Sequence, residues 1–527
     1  MIARQSYRKL FRNISITRAF SNSHLRILET KKEPQANSSS STPPHTDDLY
    51  FGKFTKEEYE DAKKIIQEQI SKLEGQIKGD YNVRENLGKF SQFPEPASQD
   101  SKPVKVENLS DFFRQTIKLT GPIPLSTYMR QCLTHPEFGY YTTRDPLNLR
   151  TGDFITSPEI SSVFGEMIGI WYFSIWQQQK YPESIRFIEF GPGKGTLIHD
   201  IMKTFNKFVE KLLPSDQKRP KIEIALIEAS HVLRKEQWKL LCNPEDPMET
   251  TGEGYNRSAT KWGNDIIWLD TEKDIQQGDK NVANFIVAHE FFDALPIKSF
   301  IREEKGWREL VVEHTPSVNN TQPKLEESAS ARGANKFETD DSLDTEFHLT
   351  ISPKETPSSM IPQISKRYRD LPVGTRIEIC PDAELYIMKM AKLLSDSNDK
   401  GAILVIDYGT ENEIPENSLR GIYQHKFVSP FWNPGEVDLS IDVDFQALKQ
   451  LTEGIVDIYG PLKQGDWLHN IGIGYRIDQL LKKNQQDPEV QDKIYGAYRR
   501  LTDGEQMGSI YKFMALLPKG SSNPPGF

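Results

Sequence analysis

Cysteine is scarce in this chain: Cys132, Cys242 and Cys380 are the only three among 527 residues. They are widely spaced and form no Cys-x-x-Cys pair, so no disulfide framework is indicated. Cys132 and His135 make one Cys-x-x-His, but no second pair accompanies it, and no metal site is expected. The three read as plain thiols in a reducing compartment. Long apolar runs are also lacking. The most apolar stretch, 167–176, is about half of the roughly 20 residues a membrane helix needs. It reads as a buried helix, and no stable membrane insertion is expected. Basic charge is short over most of the chain. Lys and Arg number 66 against 75 Asp and Glu, for a formal charge of −9. Five of those cations, Arg4, Arg8, Lys9, Arg12 and Arg18, fall in the first 20 residues. The remaining body is therefore more acidic still and lacks the footprint that phosphate contacts require. Nucleic acid is excluded as the expected partner; a cationic side chain suits the body better.

Residues 1–28 contain no acid, the first being Glu29, and mix Arg, Lys, Ser and apolar residues. That composition predicts a mitochondrial transit peptide and a matrix location. Residues 29–105 read as a linker carrying one accessory helix at 55–78, where Tyr59, Ile66, Ile70, Leu73 and Ile77 can share a face. The folded body is placed at 106–518, with 519–527 as a polar tail. Within the body, 316–344 is poor in large apolar residues. It reads as a disordered insertion in a hairpin of strands 307–314 and 347–352.

Elsewhere strands and helices alternate. Strands are expected at 186–190, 222–227, 285–288, 403–407 and 511–516, with a weaker one at 455–459; helices fit 161–178, 196–212, 383–394 and 444–451. Such alternation predicts a largely parallel sheet covered by helices on both faces.

The segment Glu189-Phe190-Gly191-Pro192-Gly193-Lys194-Gly195 joins an apolar strand to a helix. Glycines let a backbone take positive φ and approach a ligand closely, and the helix start offers unpaired N–H groups. The spacing is Glu-x-Gly-x-Gly-x-Gly, not the Gly-x-Gly-x-x-Gly of nicotinamide sites. It is the form typical of S-adenosylmethionine methyltransferases. The expected fold class is therefore α/β, a Rossmann-like methyltransferase core with extra helices and an inserted β-hairpin. Glu189, Gly191, Gly193 and Gly195 are candidate cofactor residues. Glu228, ending the next strand, stands where Rossmann-type folds hold ribose hydroxyls.

A third strand ends in His289-Glu290-Phe291-Phe292-Asp293, at the sheet edge where open α/β folds bind ligands. His289 has no second His at metal-binding spacing. The loop Gly152-Asp153-Phe154-Ile155-Thr156-Ser157-Pro158-Glu159 reads as a lid, with Ser157 as a helix N-cap and Pro158 at the first helical position. Asp153 and His289 join the candidate cofactor residues.

These motifs resemble the MidA family, the mitochondrial assembly methyltransferases of NADH:ubiquinone oxidoreductase (complex I). The resemblance is carried by GPIPLSTYM from Gly121, HPEFGYY from His135, GDFITSPEIS from Gly152, FGPGKGTL from Phe190, HEFFDALP from His289, IDYG from Ile406 and the stretch 420–445. It spans most of 121–516. It implies S-adenosyl-L-methionine as cofactor, a protein arginine as acceptor, symmetric dimethylarginine as product, and a core subunit of complex I as partner during early assembly.

An arginine acceptor is protonated under ordinary conditions. Carboxylates can hold its fork and take the proton that methylation releases. Glu290, Asp293 and Glu159 are the candidate catalytic residues, in that order, with Asp407 as a fourth. Two other readings compete: an RNA or small-molecule methyltransferase, which the acidic body disfavours, and a cofactor-binding assembly chaperone with little catalysis.

Overall fold

Seven strands are ordered by where their apolar residues must go. In β1 (Ser184–Phe190), six of seven positions are buried. Ile185 and Phe187 pack on one face while Ile188 and Phe190 pack on the other, the period-two alternation of a strand covered on both sides. The same division recurs in β4 (Ala283–His289) and β5 (Gly401–Thr410). With β2 (Lys221–Ile227), β3 (Asp265–Leu269), β6 (Asp457–Lys463) and β7 (Tyr511–Leu517), the order is β6-β7-β5-β4-β1-β2-β3. Two short strands, Asn256–Ala259 and Glu249–Thr250, extend the β3 edge. Strands β1 to β5 are mutually parallel, and β7 runs antiparallel to β5 and β6. This is the computed structural model of the chain, and it describes residues 106–143, 156–275, 280–315, 345–397 and 399–527. The presequence, the accessory helix, Asp153 and the 316–344 insertion lie outside the described residues.

One face of the sheet is covered by α1 (Ser162–Gln178) and α2 (Thr196–Leu212). Their approach is close because α1 carries Gly165 and Gly169. A Cβ at 165 would meet the Asp200 Cβ at 2.6 Å, and one at 169 the Ile201 carbonyl at 2.9 Å. The other face is covered by α4 (Pro381–Ser395) and α5 (Phe445–Thr452). Between these two pairs in sequence, α3 (His231–Leu241) returns from β2 towards β3. No helix among the described residues is long and apolar enough to cross a membrane.

The hairpin expected around the insertion is present: Gly306–His314 pairs antiparallel with Phe347–Ile351. It belongs to a larger five-stranded sheet that also takes in Ile123–Pro124, Lys298–Glu303 and Arg376–Ile379. A three-stranded sheet, Lys426–Val428, Arg420–Tyr423 and Asp438–Ser440, stands apart from both.

Three expectations need correction. Ser157 is not an N-cap. The short helix runs Ser157–Ile160, its cap position is Thr156 without a side-chain bond, and the Ser157 hydroxyl is buried, donating to Gln464 Oε1 at 3.5 Å. The capping serine is Ser161, which accepts from the Val163 N–H at the start of α1. Residues 519–527 are not a loose polar tail, since Phe527 packs against Trp171 and Trp467, and Trp171 Nε1 donates to the Pro525 carbonyl at 3.0 Å. The sixth strand begins at Asp457 rather than 455 and runs on to Lys463.

Candidate functional site

Parallel pairing aligns the carboxyl ends of the strands. Phe190 stands opposite Ala288 and Ile227, and His289 opposite Ile406. The order reverses between β1 and β4, so ligands belong at this edge. A cavity of about 880 Å³ opens there. Glu159, Glu189, Gly191, Gly193, Glu228, His289, Glu290 and Asp293 all line it. Gly195 and Asp407 do not.

On the β1–β2 side, the turn takes positive φ at Gly191, Gly193 and Gly195, with values of 64, 53 and 80°. A side chain there is disfavoured by backbone sterics alone. Gly195 serves as the cap of α2 without any side-chain bond, which leaves the first amides of the helix to other partners. Glu189 is buried; burial pushes its carboxyl up to about 8, and its Oε2 has no hydrogen-bond partner among the described residues. Glu228 accepts from the Ser230 N–H at 2.7 Å and from Gln237 Nε2 at 3.3 Å. Burial raises it to about 6, opposed by those bonds and by Arg234. The Arg234 side chain is buried and donates from Nε to the Glu228 carbonyl at 2.7 Å, from Nη1 to Asn256 at 2.9 Å, and from Nη2 to Asp270. Glu159 sits on the Ser157–Ile160 helix with Oε1 4.0 Å from Lys194 Nζ beside the glycine turn, and its charge also helps to raise the Glu290 carboxyl.

The β4–β5 side is crowded with acids. Glu290 has φ of 49°, a left-handed conformation unusual for a residue with a side chain, fixed by its N–H donating to Ile406 at 3.0 Å. Burial, then the charge of Asp293, pushes Glu290 up to about 8; Tyr511 hydrogen-bonds it and works the other way. His289 Nε2 lies 3.6 Å from Glu290 Oε1. Burial holds His289 down at about 3, so this contact between a neutral imidazole and a largely protonated carboxyl is not an ion pair near neutral pH. Asp293 Oδ2 accepts from the hydroxyls of Tyr408 and Ser440. Burial raises the Asp293 carboxyl, while Tyr408 and the Arg420 guanidinium oppose that rise. Glu290 Oε1, Asp293 Oδ1 and His289 Nε2 have no hydrogen-bond partner among the described residues. Buried polar atoms without partners are costly to a fold. Here they gather on the walls of one cavity.

Asp407 has a different role. Its two oxygens accept from the Phe292 and Tyr408 N–H groups, both at 3.0 Å, and it braces the loop that carries Glu290. Sequence reasoning missed the residues that complete the walls. Tyr141 donates to Asp438 at 2.8 Å. Arg420 pairs with Asp442 at 2.7 Å and lies 4.7 Å above the Tyr408 ring. Tyr408 and Asp438 stand in segments that carried the family resemblance, but no local spacing betrays their roles. Gln237 carried no signal, and the helix that holds it, His231–Leu241, was not among those expected.

A family model described as "Putative S-adenosyl-L-methionine-dependent methyltransferase" matches residues 167–462. The solved structures similar to this chain include two Burkholderia thailandensis proteins. One, described bound to S-adenosyl-homocysteine, aligns with a TM-score of 0.56 at 21% identity, covering 79% of this chain and 93% of that one. The other aligns at 0.57 and 22% over the same shares. They show the fold. The turn, the buried Glu189 with its unpartnered Oε2 and the accepting Glu228 are residues whose chemistry could hold such a cofactor. This fold and site define a methyltransferase that depends on S-adenosylmethionine.

Similarity extends further among curated proteins. The human mitochondrial "protein arginine methyltransferase NDUFAF7" is 34% identical over 431 residues, 81% of this chain and 86% of that protein. The Drosophila melanogaster homolog is 33% identical over 447 residues, 82% and 92%. The rat protein is 33% identical over 426 residues. The chain belongs to the NDUFAF7, or MidA, family of protein arginine methyltransferases.

Proposed function

We propose that this chain methylates a guanidinium nitrogen of a protein arginine in the mitochondrial matrix. The observation that carries the proposal is that the glycine turn with Glu228 shares one cavity with the buried acids Glu290 and Asp293, each of which has one oxygen without a hydrogen-bond partner among the described residues. Bound S-adenosylmethionine supplies a methyl carbon on a sulfonium sulfur, open to in-line displacement by a nitrogen. Gly191, Gly193 and Gly195 would shape the seat for its amino-acid end beside Glu189, Glu228 would accept from its ribose hydroxyls, and His289 would form the neutral wall between cofactor and acceptor.

Glu290 and Asp293 would receive the guanidinium. An entering cation lowers the proton affinity of a buried carboxyl, so Glu290 gives up its proton as the substrate arrives. The two carboxylates then hold the fork and draw electron density to one nitrogen. Methylation leaves that nitrogen with one proton too many, and a carboxylate whose burial favours the protonated form is a suitable acceptor. Glu159, beside Lys194, would close the cofactor side of the lid. The work is alignment and exclusion of water.

The finer reading rests on family resemblance: the product is symmetric dimethylarginine, and the target is a core subunit of complex I during assembly. Mass spectrometry of complex I subunits from cells lacking this chain tests it. Loss of symmetric dimethylation at one arginine, restored by the wild-type chain, is expected. Unchanged arginine methylation overturns the assignment of substrate.

A further inference from the structure

Gln237 is fully buried on α3, does not line the cavity, and yet touches both halves of the cofactor seat. Its Nε2 donates to the Gly193 carbonyl at 2.6 Å and reaches Glu228 Oε2 at 3.3 Å. Its Oε1 accepts from Trp268 Nε1 at 2.8 Å, on β3. An indole N–H can only donate, so this bond fixes which end of the amide is oxygen and turns the NH₂ towards the turn and the acid. Its Cγ would lie 3.2 Å from any Cβ added at Gly195. One side chain therefore reaches three neighbouring strands at the site: the turn after β1, the acid after β2, and β3 itself.

The consequences are specific. A trans peptide points its C=O and N–H in opposite directions. Holding the Gly193 carbonyl towards α3 thus turns the following Lys194 N–H away from α3. The second donation, with the Ser230 N–H on the other oxygen, fixes the plane of the Glu228 carboxylate. We infer that Gln237 is a positioning residue for the cofactor: it locks the glycine turn and Glu228 into one preformed seat. This inference rests on the cofactor reading of that seat.

The test uses the full-length protein and two variants of nearly unchanged size. Gln237→Met removes both polar functions. Gln237→Glu keeps the acceptor for Trp268 but removes the NH₂ donor and sets a second carboxyl beside Glu228. Calorimetric titration with S-adenosylhomocysteine at pH 7.5 should show affinity falling by about 10–100-fold in both, as for lost buried hydrogen bonds. The KM for S-adenosylmethionine should rise in step while kcat at saturation changes far less; a general loss of packing would lower kcat and thermal stability together. Wild-type binding with undiminished affinity in the two variants overturns this inference alone. Absence of binding to the wild-type protein overturns the cofactor reading and the inference with it. Should Gln237→Met fail to fold, Gln237→Glu carries the same comparison.

Discussion

At the scale of single residues, the proposal requires groups that cost stability when the cavity has no ligand, and Glu290 is the clearest. Its carboxyl is raised from 4.5 to about 8, chiefly by burial. Below pH 4.5 folded and unfolded chains both hold that proton. Between there and pH 8 the unfolded chain releases it first, so this group's contribution to stability falls as pH rises. Glu290→Gln has no such proton to lose. It should be more stable than wild type at pH 8, by about 1–3 kcal/mol, and nearly equal at pH 4.5, while methylation drops about 100-fold or more. Chemical denaturation at the two pH values, with a methylation assay, checks this; destabilisation in parallel with inactivity would make Glu290 a structural brace. Wild-type activity should climb between pH 6 and 8 as Glu290 ionises. Glu228 acts in another window. Raised to about 6, it is an acceptor above that value, and affinity for S-adenosylhomocysteine should fall by about tenfold between pH 7.5 and 5, one or two hydrogen bonds' worth. Glu228→Gln should bind weakly at both pH values; a pH dependence unchanged by that substitution would assign the titration to another group.

At the scale of elements, glycine has two distinct uses here. In the turn it supplies backbone conformation, and in α1 it supplies proximity. Gly169→Val should destabilise the fold by about 1–3 kcal/mol or more through overpacking against Ile201 and Thr204, read as a lower denaturation midpoint. A midpoint equal to wild type would show that α1 and α2 can separate at little cost. The sequence made much of this architecture legible. Buried runs such as 186–190 and 403–407 can only be central strands once helices alternate with them, and the turn after Glu189 announces itself by spacing. Other elements were hidden for physical reasons. The five-stranded sheet draws strands from Ile123 to Ile379, and pairing between such distant segments leaves no local pattern. The helices Gln464–Ile471, Ile473–Lys483 and Pro488–Thr502 are a different case: Ile473, Ile477, Leu480 and Leu481 recur at helix spacing and pack on the core, so that signal was present in the sequence and went unread. Ser157 was misassigned because Ser-Pro before a helix fits a cap, whereas its hydroxyl turns inward to Gln464. Of the site, the residues at strand ends were readable. Tyr408, Asp438 and Arg420 were not, because their roles depend on tertiary contacts.

At the scale of the whole molecule, the acid excess and the location of the cavity bear on each other. The parallel strands converge on one edge, the turn and Glu228 occupy its β1–β2 side, and Glu290 and Asp293 occupy its β4–β5 side. The adjoining three-stranded sheet contributes Arg420, Ile422, Phe427 and Asp438 to the walls. The residues after β7 do not trail away; Phe527 closes the packing around Trp171 and Trp467. The most direct test of the central claim is transfer itself. Purified wild-type and Glu290→Gln proteins would be incubated with methyl-labelled S-adenosylmethionine and complex I subunits from cells lacking this chain, and the hydrolysed protein analysed for labelled amino acids. The account predicts label in methylarginine with the wild-type protein and almost none with the variant. Label confined to another amino acid, or equal labelling by the two proteins, would contradict it.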